Sequence, residues 1–411
     1  MEKTILLIII GLIVLDFIFD RVMDYLNASR WSNKLPDELK GIYDEEKYRR
    51  SQEYNKVNMR LGVITSTLSF LLILGMLIFG VFGWLDEWVR TYTDHPVLMA
   101  LLFFGVLGLA SDILGTPFDV YGTFVIEEKF GFNRTTPKTY ILDKFKGWIL
   151  ALILGGGILA IFVWFYNTAG NIFWLYAWIF VSAFSVFMAM FYSTLIVPIF
   201  NKQTPLEEGE LREAIEAFAQ KAGFKLDNIF VIDGSKRSSK ANAYFSGFGP
   251  KKRIVLFDTL IKEHTTEELV SVLAHEIGHY KKKHTLKGII MSVLNTGIML
   301  YLLGLFINRP ELSMALGAEQ ASFHMGILAF ALLYAPVSLL LGILGNRISR
   351  KYEYEADAFA AKKYDPEPLQ EALKKLSVNH LSNLRPHPAY VYVHYSHPPL
   401  LKRLQFLEKF K

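Results

Sequence analysis

The sequence predicts a mainly α-helical, multi-pass membrane protein with seven transmembrane helices and a hydrophilic region that contains a small β-sheet. Three observations predict this class. Of the 411 residues, 52% are hydrophobic, which is more than a soluble domain of this size usually carries. Seven apolar segments approach the ~20 residues that a bilayer span needs. Two hydrophilic segments, 201–285 and 346–411, carry most of the charged motifs.

The connections between the predicted spans alternate between rich and poor in Lys and Arg. Under the positive-inside rule, this pattern puts the N-terminus outside and both hydrophilic segments in the cytoplasm. The first span could also be a signal peptide, but Asp16, Asp20 and Arg21 stand where a small-x-small cleavage site would be expected. The predicted spans are 4–20, 62–84, 96–117, 147–167, 172–199, 286–308 and 325–345.

The first hydrophilic segment predicts a small α/β unit. Residues 207–222 have helical periodicity, 228–233 and 253–258 are typical of short strands, and 241–245 is a possible third strand. Gly247, Gly249 and Pro250 predict the turn between the latter two strands. We therefore expect four regions: 1–200 with five spans, 201–285 on the cytoplasmic side, 286–345 with two spans, and 346–411.

A metal-binding pattern lies in the stretch S-V-L-A-H-E-I-G-H-Y-K-K-K-H at 271–284. On a helix, His275 and His279 share a face and can bind one ion. Glu276 is rotated by about 100° from His275 and can act on a water without being a ligand. Gly278 is expected to leave the helix face open near the site. The alternative is a solvated helix with a chance histidine pair, because a bare H-E-x-x-H is only moderately specific.

A third ligand is expected from the other hydrophilic segment. The chain has no cysteine, so a zinc site must use histidine and carboxylate. In S-R-K-Y-E-Y-E-A-D-A-F-A-A-K-K at 349–363, Glu353 and Asp357 share a helix face. Glu353 can bind zinc while Asp357 holds a ligand histidine by a hydrogen bond. Glu355 is turned away, and the alternative is a helix of solvated acids paired with nearby Lys and Arg.

These motifs together resemble a known family. H-E-I-G-H at 275–279, E-Y-E-A-D at 353–357, Y-S-H-P-P-L-L-K-R-L at 395–404 and P-F-D-V-Y-G-T-F-V-I-E-E-K-F-G-F-N-R-T-T at 117–136 are similar to the type I CaaX prenyl protease family. Its members are integral-membrane zinc metallopeptidases of the gluzincin group. The likeness extends over nearly the whole chain, and it implies a chamber enclosed by the ring of spans.

The resemblance implies roles for individual residues. His275, His279 and Glu353 are the implied ligands of one Zn²⁺ per chain, Glu276 is the catalytic base, and Asp357 supports a ligand. The resemblance also implies that Asn242 lies beside a substrate-binding edge strand, and the alternative is a residue in a turn. His397 is implied to donate a hydrogen bond to the oxyanion, and the alternative is the cap of a turn. Arg403 is implied to bind a substrate carboxylate or to stabilise the developing charge, and the alternative is contact with lipid phosphate.

Several other polar residues carry weaker expectations. His284 lies five positions beyond His279, which on a continuous helix moves it off the ligand face, so we expect a solvent or supporting role. Lys281–Lys283 are expected to anchor the membrane interface. Asp112 and Asp119 should face a protein interior or a water-filled cavity, because a carboxylate is costly against lipid. Nothing in their spacing makes His380, His387 or His394 a ligand.

The sequence therefore predicts a zinc endopeptidase with its site on the cytoplasmic side. Its reaction would be attack of a zinc-activated water on a peptide carbonyl, and the family implies removal of the C-terminal tripeptide from prenylated CaaX proteins. We expect a peptide or lipidated protein substrate, contact with membrane lipid, and no nucleic-acid partner. The membrane would be the endoplasmic reticulum or inner nuclear membrane in a eukaryote, or the inner membrane in a bacterium.

Two other functions compete with this one. A quality-control metalloprotease of membrane proteins would share the zinc motifs, although the seven predicted spans are more than that group has. A zinc-binding channel or transporter is the second alternative. The absence of an obvious two-fold repeat among the spans weakens it.

Overall fold

The computed structural model describes residues 1–32, 34–35, 37–224, 229–247 and 253–411, and most of them are helical. The helices are α1 Glu2–Ala28, α2 Glu45–Ile78, α3 Val81–Arg90, α4 Pro96–Tyr121, α5 Pro137–Leu150, α6 Gly157–Ala169, α7 Phe173–Leu195, α8 Val197–Phe200, α9 Glu210–Lys221, α10 Asp258–Glu263, α11 Thr266–Lys281, α12 His284–Phe306, α13 Pro310–Ala315, α14 Phe323–Lys363, α15 Pro366–Asn379, α16 Pro388–His394 and α17 Leu400–Leu407.

Five helical stretches of the described chain are long and apolar enough to cross a membrane. They are Glu45–Ile78, Pro96–Glu127, Pro137–Phe200, His284–Phe306 and Phe323–Lys363. Large apolar side chains on these stretches point outwards, including Leu71, Leu152, Ile290 and Leu340, each more than half exposed. An outward apolar face is what a lipid environment requires. The structure therefore confirms a mainly helical membrane protein.

The predicted first span and the predicted fourth and fifth spans differ from these stretches in instructive ways. Residues 147–167 and 172–199 lie in the single stretch Pro137–Phe200, where Gly170, at φ 56°, turns the chain between α6 and the next helix. Residues 4–20 form part of α1, whose apolar run is interrupted by Asp16 and Asp20. The seven-span count therefore depends on how these two regions sit in the bilayer.

Two helical segments of the membrane region widen to π-helical geometry, Gly122–Glu127 and Ala151–Gly156. Both line a cavity of about 1650 Å³ with mainly apolar walls. Asp112 lies in this cavity, where its carboxylate accepts hydrogen bonds from Lys144 Nζ at 2.7 Å and Trp148 Nε1 at 3.1 Å. Asp119 also lines it, 3.7 Å from the same lysine. The expectation that these acids face a cavity is confirmed for both.

The strands form a small mixed sheet beside the metal motif. In the described residues they are β1 Gln203–Pro205, β2 Ile229–Ile232, β3 Ala243–Ser246 and β4 Arg253–Phe257, in the order β1-β2-β4-β3. β2 and β4 are parallel with Val231 opposite Leu256, and β3 is antiparallel to β4 with Tyr244 opposite Val255. β3 is therefore an edge strand of the described sheet, and the predicted strand segment 241–245 lies at that edge.

The sequence predictions for this unit agree with the structure except at its ends. α9 falls inside the predicted helix 207–222, and β2, β3 and β4 overlap the three predicted strands. The short strand β1, which contains Pro205, was not predicted. Gly247 has φ 84°, as a turn residue should, whereas the predicted turn residues at 249 and 250 lie outside the described part of the chain.

Helix α14 is 41 residues long and joins the membrane region to the acidic motif without a break. It runs through the predicted boundary between 345 and 346, so the last span and Glu353 belong to one helix. At its first turn, His324 Nε2 lies 2.6 Å from Asp86 Oδ1, and Arg90 Nε donates to Asp86 Oδ2 at 2.9 Å. His324 and Asp86 are both buried, so this end of α14 is fixed by a charged cluster.

The other end of α14 packs against α11. A Cβ atom added at Gly278 would lie 3.1 Å from both the Cα and the carbonyl oxygen of Ala356. Contacts that short are rare, so a side chain at this position would force the two helices to shift by a few tenths of an ångström. The expectation that Gly278 leaves the helix face open was therefore wrong: the residue is buried in the contact that brings the two motifs together.

Candidate metal centre

The histidine pair lies on a well-formed helix. Thr265 caps α11 by accepting a hydrogen bond from the Glu268 backbone N–H, while the Glu268 side chain accepts from the Thr265 N–H. This capping box satisfies two N–H groups that would otherwise lack partners. Leu269, Leu273 and Ile277 bury the opposite face of the helix in the hydrophobic core. α11 is thereby held with His275 and His279 directed toward α14.

Three candidate ligand atoms converge between α11 and α14. His275 Nε2 lies 3.1 Å from His279 Nε2, 3.5 Å from Glu353 Oε2, and His279 Nε2 lies 3.3 Å from Glu353 Oε1. The ligand atoms of these residues all lie within 4.8 Å of one another. The structure therefore brings together the three predicted ligands from segments about 75 positions apart in the chain.

The spacing of these atoms fits a metal of zinc's size. With zinc–ligand bonds of about 2.0–2.1 Å in a tetrahedron, neighbouring ligand atoms should be roughly 3.3 Å apart. The three observed separations, 3.1, 3.3 and 3.5 Å, bracket that value. Two imidazole nitrogens and a carboxylate oxygen are also a donor set that zinc accepts. The residues present therefore fit the metal.

A second layer of charged side chains supports His275. Its Nδ1 lies 2.8 Å from Asp357 Oδ1, so Nδ1–H donates to the carboxylate and Nε2 is left for a metal. Asp357 is fully buried and also accepts from Arg403 at 2.8 Å from Nε and 2.6 Å from Nη2. Burial alone would lower the pKa of His275, but its hydrogen bonds to Asp357 and Glu353 outweigh burial and raise that pKa to about 9.

Arg403 is thus engaged with Asp357 through two of its nitrogens. Its third nitrogen, Nη1, lies 3.6 Å from Glu353 Oε2, and the side chain is mostly buried. A bidentate arginine–carboxylate pair is a strong and directional contact. Arg403 therefore contacts the residues that support the candidate ligands. It also lines the cleft that contains them.

Glu276 faces an open cleft of about 940 Å³ that it shares with His275, His279, Glu353 and Arg403. Burial raises the pKa of the Glu276 carboxyl, and the neighbouring His275 and His279 oppose part of that rise. A carboxylate whose pKa is raised is a stronger base when ionised. Glu276 therefore lies beside the three candidate ligands with a carboxyl group whose pKa is raised.

His397 and Asn242 border the same cleft from two sides. His397 is 65% exposed, and its Nε2 lies 3.4 Å from Glu353 Oε1 while Nδ1 lies 3.0 Å from Ser396 Oγ. Asn242 is exposed just before β3, where its Oδ1 accepts from the Ala243 N–H at 2.8 Å. Ala243 and Phe245 of β3 also line the cleft. All eight predicted site residues therefore lie at or directly behind one cavity.

Two further histidines contact the site: His284, for which a solvent or supporting role was expected, and His380, which the sequence did not assign. His284 Nδ1 lies 3.1 Å from His279 Nδ1, and His380 Nε2 accepts the Ala241 N–H at 3.0 Å, one residue before Asn242. The spacing H-x₄-H at 279–284 was a signal for the first. No local sequence pattern predicted the contact of His380, because this residue lies at the end of α15.

Comparison with known proteins agrees with this geometry. Residues 24–202 match the family described as "CAAX prenyl protease N-terminal, five membrane helices", and residues 205–411 match "Peptidase family M48". The CAAX prenyl protease 1 homolog of Oryza sativa is 38% identical over 91% of this chain and 90% of its own length. CAAX prenyl protease 1 of Saccharomyces cerevisiae is 34% identical over 98% and 95%.

A solved structure shows the same fold. The crystal structure of S. mikatae Ste24p superposes with a TM-score of 0.93 at 34% identity, covering 98% of this chain and 99% of that one. The M48 peptidase family implies a metal cofactor, and His275, His279 and Glu353 are a group that can hold it. The family predicted from the motifs is confirmed. The chain therefore belongs to the CaaX prenyl protease family within peptidase family M48 and is an integral-membrane metalloprotease of that type.

Proposed function

We propose that this chain is a zinc-dependent endopeptidase that removes the C-terminal tripeptide of prenylated CaaX proteins at the cytoplasmic face of a membrane. The observation that carries the proposal is the convergence of His275, His279 and Glu353 at separations of 3.1 to 3.5 Å. Relatives named CAAX prenyl protease 1 share 34–38% of their residues with nearly the whole chain, which supports the substrate class.

The residues of the chain divide the reaction between them. When bound by His275, His279 and Glu353, zinc would supply a water nucleophile of lowered pKa and polarise the scissile carbonyl. Glu276 accepts the proton of the attacking water and returns it to the leaving amine. His397 donates a hydrogen bond to the carbonyl oxygen as negative charge develops there.

Arg403 and Asn242 are proposed to position the substrate. With Nε and Nη2 of Arg403 held by Asp357, Nη1 is the group for a substrate carboxylate or for the developing charge. An extended peptide would add to β3 by backbone hydrogen bonds, because β3 ends the described strand order and lines the cleft. The exposed amide of Asn242 would contact the peptide at the start of that strand.

The membrane arrangement of the proposal has seven spans around a chamber. α1 and the two halves of Pro137–Phe200, together with the four other apolar stretches, supply seven segments. The mainly apolar cavity of about 1650 Å³ supports a chamber that receives a lipid chain. The distribution of Lys and Arg supports a cytoplasmic site, with the four regions 1–200, 201–285, 286–345 and 346–411 alternating between membrane and cytoplasm.

The test uses the full chain purified in detergent, with zinc measured by elemental analysis. A peptide ending in a farnesylated CaaX sequence and its unprenylated twin are the substrates, each with and without chelator. We expect one zinc per chain, cleavage of the farnesylated peptide alone, and full loss with chelator. Glu276→Gln should keep its zinc and lose activity by about 10²-fold or more.

Other outcomes would point to the competing functions. Equal cleavage of both peptides would favour a quality-control protease over CaaX processing. Zinc bound without any cleavage, together with zinc transport that survives Glu276→Gln, would overturn the hydrolase proposal altogether.

A further inference from the structure

The two candidate histidine ligands are supported in different ways. His275 meets a carboxylate directly, through Asp357 at 2.8 Å from Nδ1. His279 instead meets another imidazole: its Nδ1 lies 3.1 Å from Nδ1 of His284. Because a ligand histidine usually donates its second N–H to a fixed acceptor, the partner of His279 Nδ1 decides how well that ring is held.

A backbone turn brings His284 to this place. α11 ends at Lys281, Lys283 has the left-handed φ of 58°, and His284 begins α12. His284 is therefore not on the helix of His279, so helical spacing does not place it, and of the two expected roles its contact with His279 favours the supporting one. The ring is 4% exposed and stacks on Tyr352 with centroids 4.1 Å apart and planes 9° apart.

The protons of this pair can be assigned from its partners. His284 Nε2 lies 3.0 Å from Glu355 Oε2, and an ionised carboxylate only accepts, so Nε2 carries the proton. A neutral His284 then has a lone pair at Nδ1, which accepts from His279 Nδ1–H. That leaves the lone pair of His279 on Nε2, the atom that lies 3.1 Å from His275 Nε2 and 3.3 Å from Glu353 Oε1.

We propose that His284 and Glu355 form a positioning pair that fixes the tautomer and the ring orientation of His279, as Asp357 does for His275. This inference rests on the proposed function, in which His279 is a metal ligand. Glu355, turned away from the ligand face as the sequence predicted, acts through His284. Since His284 Nδ1 contacts the far nitrogen of His279 and not the Nε2 cluster, the geometry assigns it to positioning and not to ligation.

The experiment measures zinc affinity directly, by competition with a chromogenic chelator on the full chain in detergent. His284→Leu keeps the bulk and removes the acceptor, whereas His284→Gln restores an acceptor oxygen. His394→Leu and His394→Gln are matched controls on an exposed histidine outside the cleft lining. We expect zinc affinity to fall by about 10–100-fold in His284→Leu, to recover by at least half of that loss (on a logarithmic scale) in His284→Gln, and to stay unchanged in both controls.

Two further readouts separate positioning from packing. The absorption spectrum of the Co²⁺-substituted protein should shift in His284→Leu and return in His284→Gln, and the unfolding temperature of the metal-free variants should match within a few degrees. Unchanged zinc affinity in His284→Leu would overturn the inference. So would equal losses in the Leu and Gln variants, because side-chain packing and not hydrogen bonding would then be responsible.

Failure of this inference is distinguishable from failure of the proposed function. If His279→Ala loses zinc and His284→Leu does not, the metal site stands and the positioning pair falls. If His279→Ala binds zinc as the wild type does, the proposed site itself is wrong. If His284→Leu does not fold, variants of the half-buried Glu355 provide the test. Zinc affinity should fall in Glu355→Ala and be largely kept in Glu355→Gln. Equal zinc affinities in these two variants would overturn the proposed positioning pair.

Discussion

Gly278 lies against Ala356 so closely that a single added methyl group would come within 3.1 Å of the Ala356 backbone. This contact joins the helix of the histidine pair to the helix of Glu353. Gly278→Ala should push the helices apart, lower stability by about 1–3 kcal/mol through overpacking, and weaken zinc binding. Thermal unfolding and chelator competition would measure both effects.

Gly288 on α12 is the matched control for that substitution, because an added Cβ there meets nothing within 4 Å. Gly288→Ala should leave zinc affinity unchanged and raise helix stability by up to about 1 kcal/mol. Equal zinc affinities for Gly278→Ala and the wild type would show that the α11–α14 distance does not set the ligand geometry.

The buried Asp357 should affect metal binding and folding separately. Asp357→Asn removes the acceptor charge behind His275 and leaves the buried Arg403 guanidinium with Glu353, 3.6 Å from Nη1, as its remaining carboxylate. We expect zinc affinity to fall by about 10–100-fold and stability by about 3–5 kcal/mol. The double variant Asp357→Asn/Arg403→Met should recover stability but not zinc affinity, since only the buried guanidinium charge has been removed.

Surface pairs should not behave this way. Glu371→Gln breaks a contact of 2.7 Å with Lys374 at the protein surface and should cost less than about 1 kcal/mol. If the Asp357 double variant regained zinc affinity together with stability, the carboxylate would have no specific part in orienting His275.

Acid should destabilise the segment before β3 through His380. Burial, helped by the positive charges of Lys240 and His264, lowers the pKa of His380 to about 4 from an ordinary 6.5. The unfolded chain therefore binds a proton that the folded chain refuses, so stability is complete above pH 6.5 and falls as pH drops toward 4. A shift of this size corresponds to a loss of about 3 kcal/mol.

Thermal unfolding between pH 7 and pH 4.5 checks this expectation. His380→Gln keeps an acceptor for the Ala241 N–H but does not titrate, so its unfolding temperature should fall less than that of the wild type over this range. Parallel curves for the two proteins would exclude His380 as the source of acid sensitivity.

The pair Asp112 and Lys144 should stabilise the membrane region as a unit. Their side chains are 2.7 Å apart in the large cavity, so each single change breaks this contact, and Asp112→Asn leaves Lys144 only the more distant Asp119, at 3.7 Å. Lys144→Met and Asp112→Asn should each destabilise the protein, and the double variant should recover a coupling free energy of about 1–3 kcal/mol. Unfolding of the wild type, the two single variants and the double variant in one detergent would measure this coupling free energy. If the two single losses of stability simply add in the double variant, water in the cavity screens the charge pair.

Much of the site was predictable because helical spacing places residues four apart on one face. His275 and His279, and Glu353 and Asp357, are separated in this way, so each pair could be assigned before its partner helix was known. The strands β2, β3 and β4 were found from their composition, while β1 is too short for periodicity to show. Family motifs then related segments that spacing alone could not connect.

Two positions show what local sequence pattern could not predict. His284 was assigned by extending α11 past its end, but Lys283 takes a left-handed φ that nothing in Y-K-K-K-H indicates, since glycine or asparagine usually marks such a position. Gly278 was predicted to leave the helix face open because it has no side chain. Its role depends instead on contact with Ala356, 78 residues later in the chain. Contacts of that kind follow from tertiary packing and not from local pattern.

The continuous α14 links the tilt of the last apolar stretch to the position of Glu353. Glu353 lies roughly 15 Å beyond the middle of this 41-residue helix, so a bend of about 5° there would move its carboxylate about 1 Å sideways. The three distances between the candidate ligand atoms each lie within a few tenths of an ångström of the spacing expected around zinc. A change in the tilt of α14 that α11 did not follow would therefore separate the Glu353 carboxylate from the two imidazole nitrogens.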